Sequence, residues 1–86
     1  MNNLKLIVEN INQKNLDKAL ILCDEHNEVS EQYIINNLQG VIYLLKNDQH
    51  LAEEYFIKSH NLNKTFEDPI NNLYLIYLKK KDFKRL

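Results

Sequence analysis

Glycine, proline and cysteine each occur once in this chain of 86 residues, as Gly40, Pro69 and Cys23, and tryptophan does not occur. Strand hairpins need residues that tolerate positive φ or arrive with φ already set. A chain this poor in them does not read as a sheet protein, and the expectation is an all-α fold. A single cysteine excludes an intramolecular disulfide and implies no oxidising compartment. A single glycine excludes a glycine-rich phosphate loop. No apolar run approaches the roughly 20 residues of a membrane helix. The N-terminus, Met1 to Asn10, has neither a cationic lead nor an unbroken apolar stretch, so it does not read as a secretory signal. A cytoplasmic protein is expected, with no membrane partner.

Arginine is almost missing too, with Arg85 alone among eleven basic residues, and twelve acidic residues bring the net charge to −1. A nucleic-acid surface normally shows a basic stripe and a high pI, so no nucleic-acid partner is expected. The cluster Lys79, Lys80, Lys81, Lys84 and Arg85 reads as solvated charge complementing the negative end of a helix. Abundant Asn, Ile and Lys suggest the nucleotide bias of an AT-rich bacterial genome. The aliphatic content is too high, and the net charge too small, for a disordered chain. At this length one domain is expected, residues 1–86.

What is present is helical periodicity. Leu4, Ile7, Val8 and Ile11 recur on one helical face, predicting a first helix over 3–14. Asn15 is placed to cap a second, carrying Leu16, Ala19, Leu20, Leu22 and Cys23 to about His26. Ser30 is placed to cap a third, whose Ile34, Ile35, Leu38, Val41, Ile42, Leu44 and Leu45 cover most of its circumference. A helix apolar on that scale needs partners on more than one side. Asp48 caps a fourth, with Leu51, Ala52, Tyr55 and Phe56. Asp68-Pro69 opens a fifth, because Asp accepts from free N–H groups and Pro at the first helical position loses no hydrogen bond. Asp82-Phe83 reads as the start of a sixth. Short connections favour antiparallel neighbours.

The helices repeat. Ala19 and Ala52 stand 33 positions apart, as do Val29 and Leu62, while Tyr43 and Tyr77 stand 34 apart, as do Asp48 and Asp82. Asn-Asn-Leu occurs at 2–4, 36–38 and 71–73. Small residues at such intervals suit close helix crossings, where a large side chain would push the axes apart. Gly40, Ala52 and Ser59, with Tyr43, Asp48 and Phe56 between them, resemble one unit of the tetratricopeptide (TPR) repeat family. Asn72, Leu73, Tyr77, Asp82 and Phe83 resemble the first half of a following unit, with Tyr74 standing at its small position. Leu6, Leu16, Ala19 and Cys23 hold the matching places of a first. The resemblance spans about two and a half repeats. It implies a right-handed α-solenoid of antiparallel helix hairpins, with five helices plus the start of a sixth. Ala19, Gly40, Tyr43, Ala52, Phe56, Ser59, Leu73 and Tyr77 would be its packing residues.

Catalytic constellations are not apparent. Cys23 and His26 share a helical face, but no second ligand pair completes a tetrahedral metal site, and Cys23 reads better as a small core residue. His50 and His60 lie near opposite ends of one helix. Glu53 and Glu54 point to different sides. Neither enzymatic activity nor a cofactor is expected. By resemblance, the first helix of each unit would line a concave groove holding a peptide or helix of a protein partner, through Asn37, Val41, Leu44, Leu45, Asn71, Leu75, Leu78 and Lys79. The positions of a carboxylate clamp are held by other side chains, so an apolar peptide, an amphipathic helix or a second copy is expected there. The alternatives are a homodimer formed through the apolar C-terminal end, or an N-terminal regulatory segment of a longer enzyme.

Overall fold

A computed structural model describes residues 3–80, and all regular structure among them is helical. Five α-helices follow in order: α1 (Asn3–Asn12), α2 (Leu16–Glu25), α3 (Gln32–Leu45), α4 (Gln49–Leu62) and α5 (Asp68–Lys80). The expected start of a sixth helix at Asp82-Phe83 lies outside the described residues. No described helix is long and apolar enough to cross a membrane.

Helices α1 and α2 pair, and so do α3 and α4. Both pairs turn in the same way. Lys14 and Asn47 each sit in the left-handed region at φ 66°. After α1, Asn15 N–H reaches back to Asn10 C=O at 2.8 Å and Lys14 N–H to Ile11 C=O at 3.0 Å. After α3, Asp48 N–H reaches Tyr43 C=O at 2.9 Å and Asn47 N–H reaches Leu44 C=O at 3.0 Å. These are two Schellman turns, which satisfy the last free carbonyls of each helix. Their left-handed residues stand 33 positions apart, the same interval as Ala19 and Ala52. The turns therefore form without the glycine such positions favour.

Two helix starts differ from expectation. The Asn15 side chain does not cap α2; it donates instead to Asn10 Oδ1 and Gln13 Oε1. Ser30 does not cap α3, because Val29–Glu31 form a 3-10 turn and the α-helix begins only at Gln32. The Gln32 side chain ties that turn down by donating to the carbonyls of His26 and Glu28. Asp48 does cap α4, accepting from Leu51 N–H at 3.1 Å. Asp68 lies in the first turn of α5 with Pro69 buried beside it.

Helix α3 touches all four other α-helices, which is why it is apolar around most of its girth. One apolar cluster joins Ile7 and Ile11, Ala19, Leu22 and Cys23, and Ile35 and Ile42. A second joins Ala52 and Phe56 with Leu73 and Ile76, and Val41 packs against both. At the α3–α4 crossing, a Cβ on Gly40 would fall under 3.0 Å from ring carbons of the fully buried Phe56. The missing side chain is what lets the ring lie against the α3 backbone. Ser59, also fully buried, donates its hydroxyl to Tyr33 C=O at 2.6 Å, so a polar small residue is satisfied at a close crossing. Tyr43 stacks on Tyr55 with ring centroids 5.4 Å apart, and Tyr77 is half-buried against the second cluster.

The first and third units pack in a different register from the one the resemblance suggests. Ile7, fully buried, stands 33 positions before Gly40, while Leu6 is half-buried. Cys23, in the same cluster as Ile7, stands 33 before Phe56, so the first unit has the larger side chain on its first helix and the smaller on its second. On α5, Leu73 and Ile76 go inward and Tyr74 stays exposed, so no small residue is needed where Tyr74 stands.

Candidate functional site

Helices α1, α3 and α5 form a row in which α3 touches both of the others. The residues expected to line a groove lie on α3 and α5, and their settings differ. Asn37 is buried, and its Oδ1 accepts from Asn72 Nδ2 at 3.2 Å, so it serves the α3–α5 contact rather than the surface. Val41, Leu44 and Leu78 are half-buried. Leu45 is 42% exposed, Leu75 is 60% exposed, and Asn71 and Lys79 are exposed beside Leu75. Val8, expected on one face of α1 with the buried Ile7 and Ile11, is instead an exposed aliphatic standing 33 positions before Val41, and it was not among the expected groove residues. The signal that finds it is the 33-residue interval of Ala19 and Ala52. Every helix of the row thus turns large aliphatic side chains to solvent, Val8 on α1, Leu45 on α3, and Leu75 with Ile70 on α5.

On the other side of α3 a cleft of about 430 Å³ opens between α2 and α4. Ile35 and Cys23 form its buried floor. Gln32, Asn36 and Gln39 run along its α3 wall at helical spacing, Asp24 stands on the α2 side, and Tyr55 and Lys58 stand on the α4 side. Gln39 is 8% exposed, and its buried Oε1 has no hydrogen-bond partner. An acceptor buried without a donor normally costs stability. Lys58 Nζ lies 5.0 Å from the centroid of the Tyr55 ring, a cation–π arrangement that orients the ammonium. Burial raises the Tyr43 phenol above its ordinary value, with smaller contributions from Tyr55 and Asp24.

Cys23 and His26 do not act as a pair. The Cys23 thiol is buried in the first cluster, and that burial, with Asp24 adding to it, pushes its pKa up to about 12. The His26 ring meets Glu31 Oε1 through Nε2 at 2.8 Å. Among the described residues, no group of three or more potential metal ligands gathers. Asp17 on α2 meets Lys46 at the end of α3 at 2.7 Å, which holds the Asp17 carboxyl below its ordinary value. In comparisons with known proteins, no family model, no curated protein and no solved structure matches this chain.

Proposed function

We propose that the chain is a TPR-like protein-interaction module, in which α1, α3 and α5 present one shallow apolar strip to a peptide or helix of another protein. The observation that carries this reading is the trio Val8, Leu45 and Leu75, exposed aliphatic residues drawn from all three helices of a contiguous row. A strip of that kind suits an amphipathic helix, whose apolar residues repeat on one side. The paired hairpins with matching turns, and the Gly40–Phe56 crossing, support a solenoid arrangement in which each unit packs on its neighbour. No chemistry is asked of the chain in this reading, which is binding alone.

The test is a panning experiment with displayed peptides against the whole chain. Peptides retained by the parent chain should lose binding to the double variant Leu45→Asp/Leu75→Asp while its helical circular dichroism persists. Retention of the same peptides by both proteins would remove the strip from consideration.

A second reading has its own observation. Ile70 and Tyr74 are 43% and 51% exposed on α5, beside Leu75. An apolar face of this extent suits a second copy of the chain. Light scattering over a concentration range separates the two, because only self-pairing requires a mass that rises with concentration and falls in Tyr74→Lys.

A further inference from the structure

We propose that the cleft between α2 and α4 is a second binding site, one that takes an extended polypeptide segment through its main-chain amides, with Gln39 Oε1 accepting a main-chain N–H. This site is independent of the strip on α1, α3 and α5. Asn36 in the cleft wall and Leu45 in the strip are nine residues apart on α3, which at about 3.6 residues per turn puts them on opposite sides of the helix. Each site can therefore be occupied, or disabled, without the other.

The chemistry of the wall selects the ligand. Gln39 lines the cleft and holds a buried acceptor without a donor in the fold, which a main-chain N–H meets once the carboxamide turns toward the cleft. Asn36, one turn away, adds another carboxamide to the same wall. A carboxamide offers one acceptor and a pair of donors, the complement of a peptide group. Gln32 has its donors engaged by the His26 and Glu28 carbonyls, so it shapes the mouth of the cleft. From Gln32 to Gln39 the wall rises about 10 Å at 1.5 Å per residue. An extended chain covers that length with about three residues. Successive side chains of such a segment point to opposite sides. One side meets the Asp24 carboxylate and the other the Lys58 ammonium. The preferred segment therefore carries a basic residue next to an acidic one.

The probe is the tetrapeptide acetyl-Ala-Lys-Glu-Ala-amide, titrated into the 15N-labelled 86-residue chain. The expected result is a saturable shift of the Asn36 and Gln39 side-chain NH2 signals. Methylating the main-chain nitrogens of the probe should weaken binding by about tenfold or more, the loss of at least one hydrogen bond from a desolvated acceptor. Gln39→Met should weaken it similarly with the backbone spectrum intact, and Asn36→Ala serves if Gln39→Met misfolds. Three results would overturn the proposal. The first is no saturable shift at Asn36 and Gln39, including shifts confined to Val8, Leu45 and Leu75. The second is equal binding of the methylated peptide. The third is equal binding of free glutamine, which would make the cleft a small-molecule site.

Discussion

Asn72 Nδ2 donates to Asn37 Oδ1 at 3.2 Å, so the middle residues of two Asn-Asn-Leu tripeptides, 35 positions apart, meet between α3 and α5. Asn37 is buried and Asn72 half-buried, so the bond is partly shielded from competing water. Asn37→Ala should cost about 1 kcal/mol, chiefly by leaving the Asn72 amide without its acceptor. In a thermodynamic cycle with Asn72→Ala, the coupling should be about 0.5–1.5 kcal/mol. Chemical denaturation of the four proteins measures it, and additive losses would show that the bond contributes nothing.

The Gly40–Phe56 contact sets a conflict between propensity and packing. Alanine gains about 1 kcal/mol over glycine inside a helix. Its Cβ at residue 40 would nonetheless overlap a ring that is fully buried and must move as a body. Overpacking of this kind costs about 1–3 kcal/mol. Gly40→Ala should therefore lower the thermal midpoint, and Gly40→Ala/Phe56→Leu should recover part of the loss. A midpoint that rises in the single variant would contradict the crossing geometry.

Lys14 is the reverse case. It holds a left-handed conformation that costs a non-glycine residue roughly 1–2 kcal/mol. Lys14→Gly should stabilise the chain by about 0.5–1 kcal/mol once the greater freedom of glycine in the unfolded state is subtracted. Asn47→Gly should gain less, because asparagine tolerates this region better. Urea midpoints rank the variants, and a destabilised Lys14→Gly would argue against the turn.

Cys23 gives the chain an alkaline limit. Its pKa is raised by burial from 9.0 to about 12, so above pH 9 the unfolded chain loses a proton that the folded chain keeps. The stability contributed by the neutral thiol is complete below about pH 9 and declines as pH rises toward 12, by up to about 1.4 kcal/mol per pH unit. Cys23→Ala removes this part of the slope, although it opens a small cavity at every pH. Native Cys23 should also resist alkylation at pH 8 and react once urea is added. Rapid modification of the folded chain would contradict its burial.

Gln39 links stability to the proposed cleft. Replacing a buried, unpartnered acceptor with an apolar group of similar shape is neutral or favourable. Gln39→Met should therefore raise the denaturation midpoint, by about 1 kcal/mol or less. A clear loss of stability would mean that Oε1 is satisfied within the fold.

The helices and their pairing were legible in the sequence because each is decided by neighbours along the chain. Apolar residues three and four apart mark the faces, Asp48 caps α4, and Asp68-Pro69 starts α5. The 33-residue interval was legible in Ala19 and Ala52. The turns at Lys14 and Asn47 were not, because neither residue announces a left-handed conformation. Nor was the role of Ser30, where the competing bonds of Gln32 to His26 and Glu28 hold a 3-10 turn ahead of the α-helix.

By itself the sequence determined that the chain is helical and which stretches form helices. Only the tertiary structure decided which side of α3 stays open. Seven aliphatic residues spread around that helix do not mark a single face, and exposure is a property of the contacts that the other helices make. Packing α1, α2, α4 and α5 against α3 buries Asn37, leaves Leu45 in water, and encloses Gln39 beside a cleft. Each of these outcomes depends on residues distant in the chain, so none can be read from local spacing.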